Sequence, residues 1–128
     1  MKLTLLKCKL HRLTITDADL DYEGSLTLDA DLMDAACLVP HERVEIYNVT
    51  NGSRIATYVI EGERGSRVAQ ANGAAAHHVR RGDIVIVSAY AEMTPDEARQ
   101  HQPTIVLVKG QNEPVDAKSA RWVAGGPG

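Results

Sequence analysis

The sequence has no phenylalanine, one tryptophan and four tyrosines among its 128 residues. Its core must therefore be aliphatic, and the row of stacking faces that single-stranded nucleic acid requires is missing. Basic residues are in short supply too: 14 Lys+Arg against 17 Asp+Glu leave a net charge of −3. That balance excludes a polybasic nucleic-acid arm or a charge-based membrane anchor as the main device. No apolar stretch approaches the ~20 residues that a spanning helix needs. The opening MKLTLLKCKLHRL starts like a secretory signal, but Lys7, Lys9, His11 and Arg12 break the apolar run. A soluble, cytoplasmic protein without membrane or nucleic-acid partners is the expectation. Cys8 and Cys37 can form at most one disulfide and have no metal-ligand spacing, so two buried thiols in a reducing compartment are expected. There is no internal repeat, and the length suits one domain.

What the chain does have is a succession of short β-rich runs punctuated by Gly and Asn. Residues 2–15 alternate, with Leu6, Cys8 and Leu10 on one face and Lys7, Lys9 and His11 on the other. VEIYNV (44–49) and RIATYVI (54–60) flank Asn51-Gly52, the dipeptide preferred in a type I′ hairpin turn because both central residues need positive φ. A second Asn-Gly, Asn72-Gly73, follows a candidate strand at 67–71. DIVIVSAY (83–90) and TIVLV (104–108) are continuous apolar runs, predicting strands buried on both faces. Asp29 or Asp31 can cap a short helix through Leu32, Met33 and Ala36, and Thr94-Pro95-Asp96-Glu97 carries a capping box with Pro at the first helical position. Many short strands with one or two short helices predict a mainly β fold, a small closed barrel. One domain is expected over 1–118, with 119–128, rich in Gly at its end, as a disordered tail.

Composition and periodicity stop at a β-rich domain. Taken alone, Asp21-Tyr22-Glu23-Gly24-Ser25 reads as a polar loop, Tyr58 as a half-buried strand tyrosine, and Arg54 as a solvated hairpin charge. His11, His77 and His78 do not have zinc-site spacing, and no metal is expected. The order of motifs along the chain carries more. Lys9-Leu10-His11-Arg12 precedes Ala18-Asp19-Leu20-Asp21-Tyr22-Glu23-Gly24-Ser25. Asn48-Val49-Thr50-Asn51-Gly52, Arg54, Thr57-Tyr58 and Glu63-Arg64-Gly65-Ser66-Arg67 follow, then Asn72-Gly73-Ala74-Ala75-Ala76-His77 and Gly82-Asp83-Ile84-Val85-Ile86. This ordered set, over about residues 1 to 115, resembles the pyruvoyl-dependent aspartate 1-decarboxylases.

The resemblance implies a six-stranded double-ψ β-barrel assembled as a homotetramer with active sites between subunits. It also implies a zymogen that cuts itself between Gly24 and Ser25 into a short chain (1–24) and a larger one (25–128). In that chemistry the Ser25 hydroxyl attacks the carbonyl of Gly24. The resulting ester breaks by β-elimination, and the dehydroalanine left at position 25 hydrolyses to a pyruvoyl group and ammonia. The covalent pyruvoyl cofactor then forms a Schiff base with L-aspartate, and loss of CO₂ yields β-alanine for pantothenate synthesis. By the same resemblance Tyr58 is the proton donor, and Thr57 and the backbone of Gly73, Ala74 and Ala75 contact substrate. Arg54 and Lys9 are the cations for its two carboxylates, and His11, Tyr22 and Asn72 support the site. A helper protein for maturation stays open.

Strand periodicity puts Arg54, Ala56, Tyr58 and Ile60 on one face and Thr57 on the other. Either the strand bulges at Thr57, or Thr57 meets Gly24 and Ser25 from another side. Three positions depart from the family pattern: Tyr47, where Trp is frequent, Leu26 after the cleavage serine, and His78. The alternative class is a non-catalytic β-barrel binding module on the same scaffold.

Overall fold

The longest strand, β1 (Leu3–Thr14), is the spine against which the rest of the chain is laid in this computed structural model, which describes residues 1–115. It is followed by β2 (Asp17–Asp19), β3 (Ser25–Asp29), helix α1 (Ala30–Ala36), β4 (Arg43–Asn48) and β5 (Arg54–Gly62). Then come β6 (Ala69–Asn72), a 3₁₀ turn at Gly73–His77, β7 (Ile84–Met93), helix α2 (Pro95–Gln100), β8 (Thr104–Lys109) and β9 (Glu113–Pro114). The ladder order is β2-β6-β3-β5-β4-β7-β1-β8-β9. Three pairings are parallel, β1 with β8, β2 with β6 and β3 with β5.

Both ends of this ladder are drawn together by Asn112, a buried residue between β8 and β9. Its side chain donates to the carbonyls of Thr14 (2.8 Å) and Arg67 (3.1 Å) and accepts from Thr14 N–H (2.8 Å). Thr16 N–H donates to Ala69 C=O (2.8 Å) across the same gap. The result is a mainly β, barrel-like sheet with short helices, as expected. Six strands have five residues or more; β2, β6 and β9 are shorter. The expected tail, 119–128, and the last residues of the expected 1–118 domain lie outside the described residues.

The interior is aliphatic: Leu10, Leu28, Val44, Ile46, Val59 and Val87 are fully or almost fully buried, each contributing about 1.5–3 kcal/mol. Helix α1 adds Leu32, Met33 and Ala36 to this core. Its N-cap is Asp29, whose side chain accepts from Asp31 N–H, and α2 has the predicted capping box of Thr94 and Glu97.

Four local expectations are corrected. Alternation along β1 breaks at Arg12, which takes φ +67° in a bulge between Leu10 and Leu13. His11 and Arg12 both fall outside the core while Leu13 returns to it. The β4–β5 hairpin forms, but without a type I′ turn: only Gly52 has positive φ, and Asn48 builds a longer loop by accepting from Thr50 N–H (2.9 Å). Cys8 is buried, with its thiol pushed up to about 11 chiefly by burial, but Cys37 is exposed, because it is the left-handed residue that ends α1. Finally, β7 buries Val85, Val87 and Ala89, whereas Ile84 and Ile86 are half-buried and Tyr90 is exposed. The outer face of β5-β4-β7-β1 is therefore open in the single chain.

Candidate active site

Residue 25 is where β3 begins. Ser25 is 1% exposed and pairs across the ladder with Asn72, the last residue of β6. Its hydroxyl accepts from Asn72 Nδ2 (3.1 Å) and donates to Glu23 C=O at 3.3 Å, a long bond. The same Asn72 amide donates to Thr27 Oγ1 (2.8 Å), and its oxygen accepts from Gln70 Nε2 (2.8 Å). Asn72 is thus fixed from three sides, fully buried, and holds the serine oxygen from one.

The glycine that the local geometry demands is Gly73 rather than Gly24. Gly73 has φ +61°, and a Cβ there would lie 2.7 Å from both Cα and N of Gly24 and 2.8 Å from Tyr22 C=O. The Tyr22–Gly24 backbone passes directly over it. Gly24 itself is outside the positive-φ region and has open space where a Cβ would go. Gly24 therefore supplies no unusual backbone freedom here; the close approach of two backbones needs the missing side chain at Gly73.

Strand β5 brings in the phenol. Leu26 pairs with Val59 in the parallel β3–β5 register, so the preceding rung sets Tyr58 beside Ser25. A hollow of about 470 Å³ is lined by Tyr22, Glu23, Ser25, His41, Tyr58 and Ile60. A second, of about 530 Å³, is lined on one side by Gly24, Ala74, Ala75 and His78, and on the other by Ile55 to Tyr58. Tyr58 belongs to both. The β4–β5 register runs unbroken through Val44–Thr57 and Arg43–Tyr58. There is no bulge at Thr57; it meets Gly24 across the second hollow.

Ser25, Gly24, Tyr58, Thr57, Asn72, Gly73, Ala74, Ala75 and Tyr22 are thus gathered in one region. Arg54, Lys9 and His11 are not. Arg54 heads β5 and lies over the Tyr47 ring, 4.3 Å from its centroid. Lys9 and His11 belong to the outward face of β1, opposite Cys8 and Leu10. Burial, Lys9 and Arg12 all push the His11 pKa below the usual imidazole value. From β1 to β5 there are three strand spacings, about 14 Å, more than one aspartate can bridge.

His41 was missed in the sequence. It takes φ +75°, its N–H donates to Val59 C=O (2.7 Å), and its ring lies 6.3 Å from that of Tyr58. Pro40-His41 has no pattern that marks it, since the contact is made across strands. Among the described residues no group of three His, Cys, Asp or Glu side chains is arranged to hold a metal, and no helix is long and apolar enough to cross a membrane.

The sequence model of the family described as aspartate decarboxylase matches residues 1–115. The aspartate 1-decarboxylase of Caulobacter vibrioides is 54% identical over 112 residues, covering 88% of this chain and 95% of the relative. That of Maricaulis maris is 53% identical over 113 residues (88% and 93%), and that of Salinibacter ruber 55% over 113 (88% and 77%). With the match running through β1, the Gly24–Ser25 junction, β5 and the Gly73 turn alike, the chain belongs to the aspartate decarboxylase family.

Proposed function

We propose that this protein removes the α-carboxylate of L-aspartate as CO₂, releasing β-alanine for pantothenate synthesis, with a pyruvoyl group made from its own Ser25. The observation that carries this reading is the crossing of the Tyr22–Gly24 backbone over Gly73. It brings the Gly24–Ser25 bond and the Asn72 amide to one place, where the β3–β5 ladder sets the Tyr58 phenol. Cleavage begins with attack of Ser25 Oγ on the carbonyl carbon of Gly24. Asn72 Nδ2, already 3.1 Å from that oxygen, steadies it.

The residues around position 25 suit a ketone. The Asn72 amide is a fixed donor, and the second hollow has small or apolar walls at Gly24, Ile55, Ala56, Ala74 and Ala75, with Thr57, Tyr58 and His78 as its polar groups. A pyruvoyl group at position 25, beside the Asn72 amide, would supply an electrophilic carbonyl for the substrate amine and an electron sink for loss of CO₂. Tyr58 delivers a proton to the substrate carbon. Thr57 and the backbone of Ala74 and Ala75 orient the substrate in the 530 Å³ hollow. Arg54 and Lys9 hold carboxylates. Because Lys9 and Tyr58 of one chain are about three strand spacings apart, Lys9 comes from a neighbouring copy docked on the open outer face. A homotetramer with shared sites meets that requirement.

Intact-mass measurement of the purified protein tests the reading. The expected result is one fragment ending at Gly24 and another spanning 25–128, lighter by the net loss of ammonia and shifted by hydroxylamine. Tyr58→Phe should still be cleaved but lose most turnover. A single full-length species, inert to hydroxylamine after prolonged incubation, leaves a non-catalytic binding module instead.

A further inference from the structure

Arg43, Arg64, Arg67 and Arg99 are each paired with a carboxylate. Arg54 is held differently. Among the described residues no carboxylate lies within ion-pair distance of it, and its guanidinium rests on the face of Tyr47, its partner in the β4–β5 ladder. The Tyr47 ring is in turn fixed at its far end, where its hydroxyl shares a 2.7 Å hydrogen bond with that of Tyr90.

This second contact is an unusual one for a sheet surface. Tyr47 pairs with Ile86 on β7, four residues from Tyr90, or about 13 Å along the strand. The two phenols close that gap by leaning toward each other over the Ser88–Glu45 rung. Lying along the sheet rather than standing off it, the Tyr47 ring offers a broad face to the guanidinium.

We propose that Tyr90 is a positioning residue for substrate binding, acting through Tyr47 to hold the Arg54 guanidinium flat and ready for a carboxylate. This rests on the reading that Arg54 binds a substrate carboxylate. An arginine carried on a ring keeps its full charge and both edges of its planar fork, whereas one paired to Asp or Glu has already spent them. Burial, the hydrogen bond shared with Tyr47 and the nearby Glu45 push Tyr90 up to about 12, against a smaller opposing effect of Ser88. The Tyr90 hydroxyl therefore stays protonated and able to hold its bond with Tyr47 through the ordinary pH range.

Tyr90→Phe keeps the ring and removes only the hydroxyl. The expected result is complete cleavage at Gly24–Ser25, kcat within about twofold, and a KM for aspartate raised roughly three- to tenfold, the range for losing one hydrogen bond and loosening a cation–ring contact. Tyr47→Phe should behave alike, and Tyr47→Leu should raise KM further. In an Arg54→Lys background, Tyr90→Phe should add little, because the planar group it positions is gone. If Arg54→Ala leaves KM unchanged, Arg54 is not a carboxylate ligand and the proposal falls with that reading. If Arg54→Ala raises KM but Tyr90→Phe does not, or lowers kcat, cleavage and thermal stability together, the proposal alone is overturned.

Discussion

Strand β3 is five residues long and has a buried polar side chain at each end, Ser25 at its start and Asp29 at its finish. The two ends are built in opposite ways. Asp29 accepts from the backbone N–H groups of Asp31 (2.8 Å), Gly65 (3.0 Å) and Arg67 (2.7 Å), and from the Arg67 guanidinium (3.1 Å). Ser25 has one amide donor at 3.1 Å and one long bond to Glu23 C=O at 3.3 Å. A saturated group caps a helix and ties down a loop. A sparingly bonded hydroxyl keeps a lone pair and a proton available for chemistry. One strand thus couples a rigid anchor to a reactive junction, so that the backbone entering the junction is held from behind.

The largest effect should come from breaking the reactive end alone. Ser25→Ala should abolish both chain cleavage and decarboxylation. The fold should lose only about 1 kcal/mol, since Asn72 Nδ2 retains Thr27 Oγ1 at 2.8 Å. Intact mass, turnover and thermal melting on one preparation check all three. Gly73→Ala attacks the same end from outside. Its Cβ would sit 2.7 Å from Gly24 backbone atoms at φ +61°, so the scissile segment must shift. Cleavage should slow by about tenfold or more, given the sensitivity of an intramolecular attack to sub-ångström displacement. A wild-type cleavage rate in this variant would mean that the crossing of the two backbones is incidental.

At the other end, Asp29→Ala should leave cleavage intact in the folded fraction while costing about 3 kcal/mol. It strands three backbone donors and weakens the hold on Arg67. A lowering of the melting temperature by on the order of 10 °C corresponds to that loss for a chain of this size. Normal stability combined with slow cleavage would invert the roles assigned to the two ends.

Local features of this design were legible in the sequence because they depend on neighbours a few residues apart. The caps at Asp29 and Thr94 and the strands on either side of Asn51-Gly52 are of that kind. The bulge at Arg12 was not, since nothing in a Leu-His-Arg-Leu run says that two successive side chains turn outward until β7 fixes the register. At the site, the order of motifs pointed to Ser25, Tyr58 and Asn72, and these converge. It also named Gly73, but only the crossing with Gly24 explains why that position has no side chain. His41 and Tyr90 were missed because their meaning lies in contacts between strands, and single aromatic or imidazole residues have no local signature.

The smallest expected effect is a pH dependence confined to the anchored end. Burial alone would raise the Asp29 pKa, but the three backbone donors and Arg67 outweigh it and hold the carboxyl below the usual carboxylate range. A carboxyl depressed on folding contributes stability that is present above its unfolded pKa, about 3.9, and is lost as pH falls through the lower folded value. Asp29→Asn lacks that ionisation. The difference in melting temperature between wild type and Asp29→Asn should therefore be constant from neutral pH down to about 4 and shrink in more acidic solution. Melts recorded across that range read it directly. A difference that persists unchanged into strong acid would mean that Asp29 acts through shape and neutral hydrogen bonding rather than charge, and the contrast between the two ends of β3 would then rest on bond number alone.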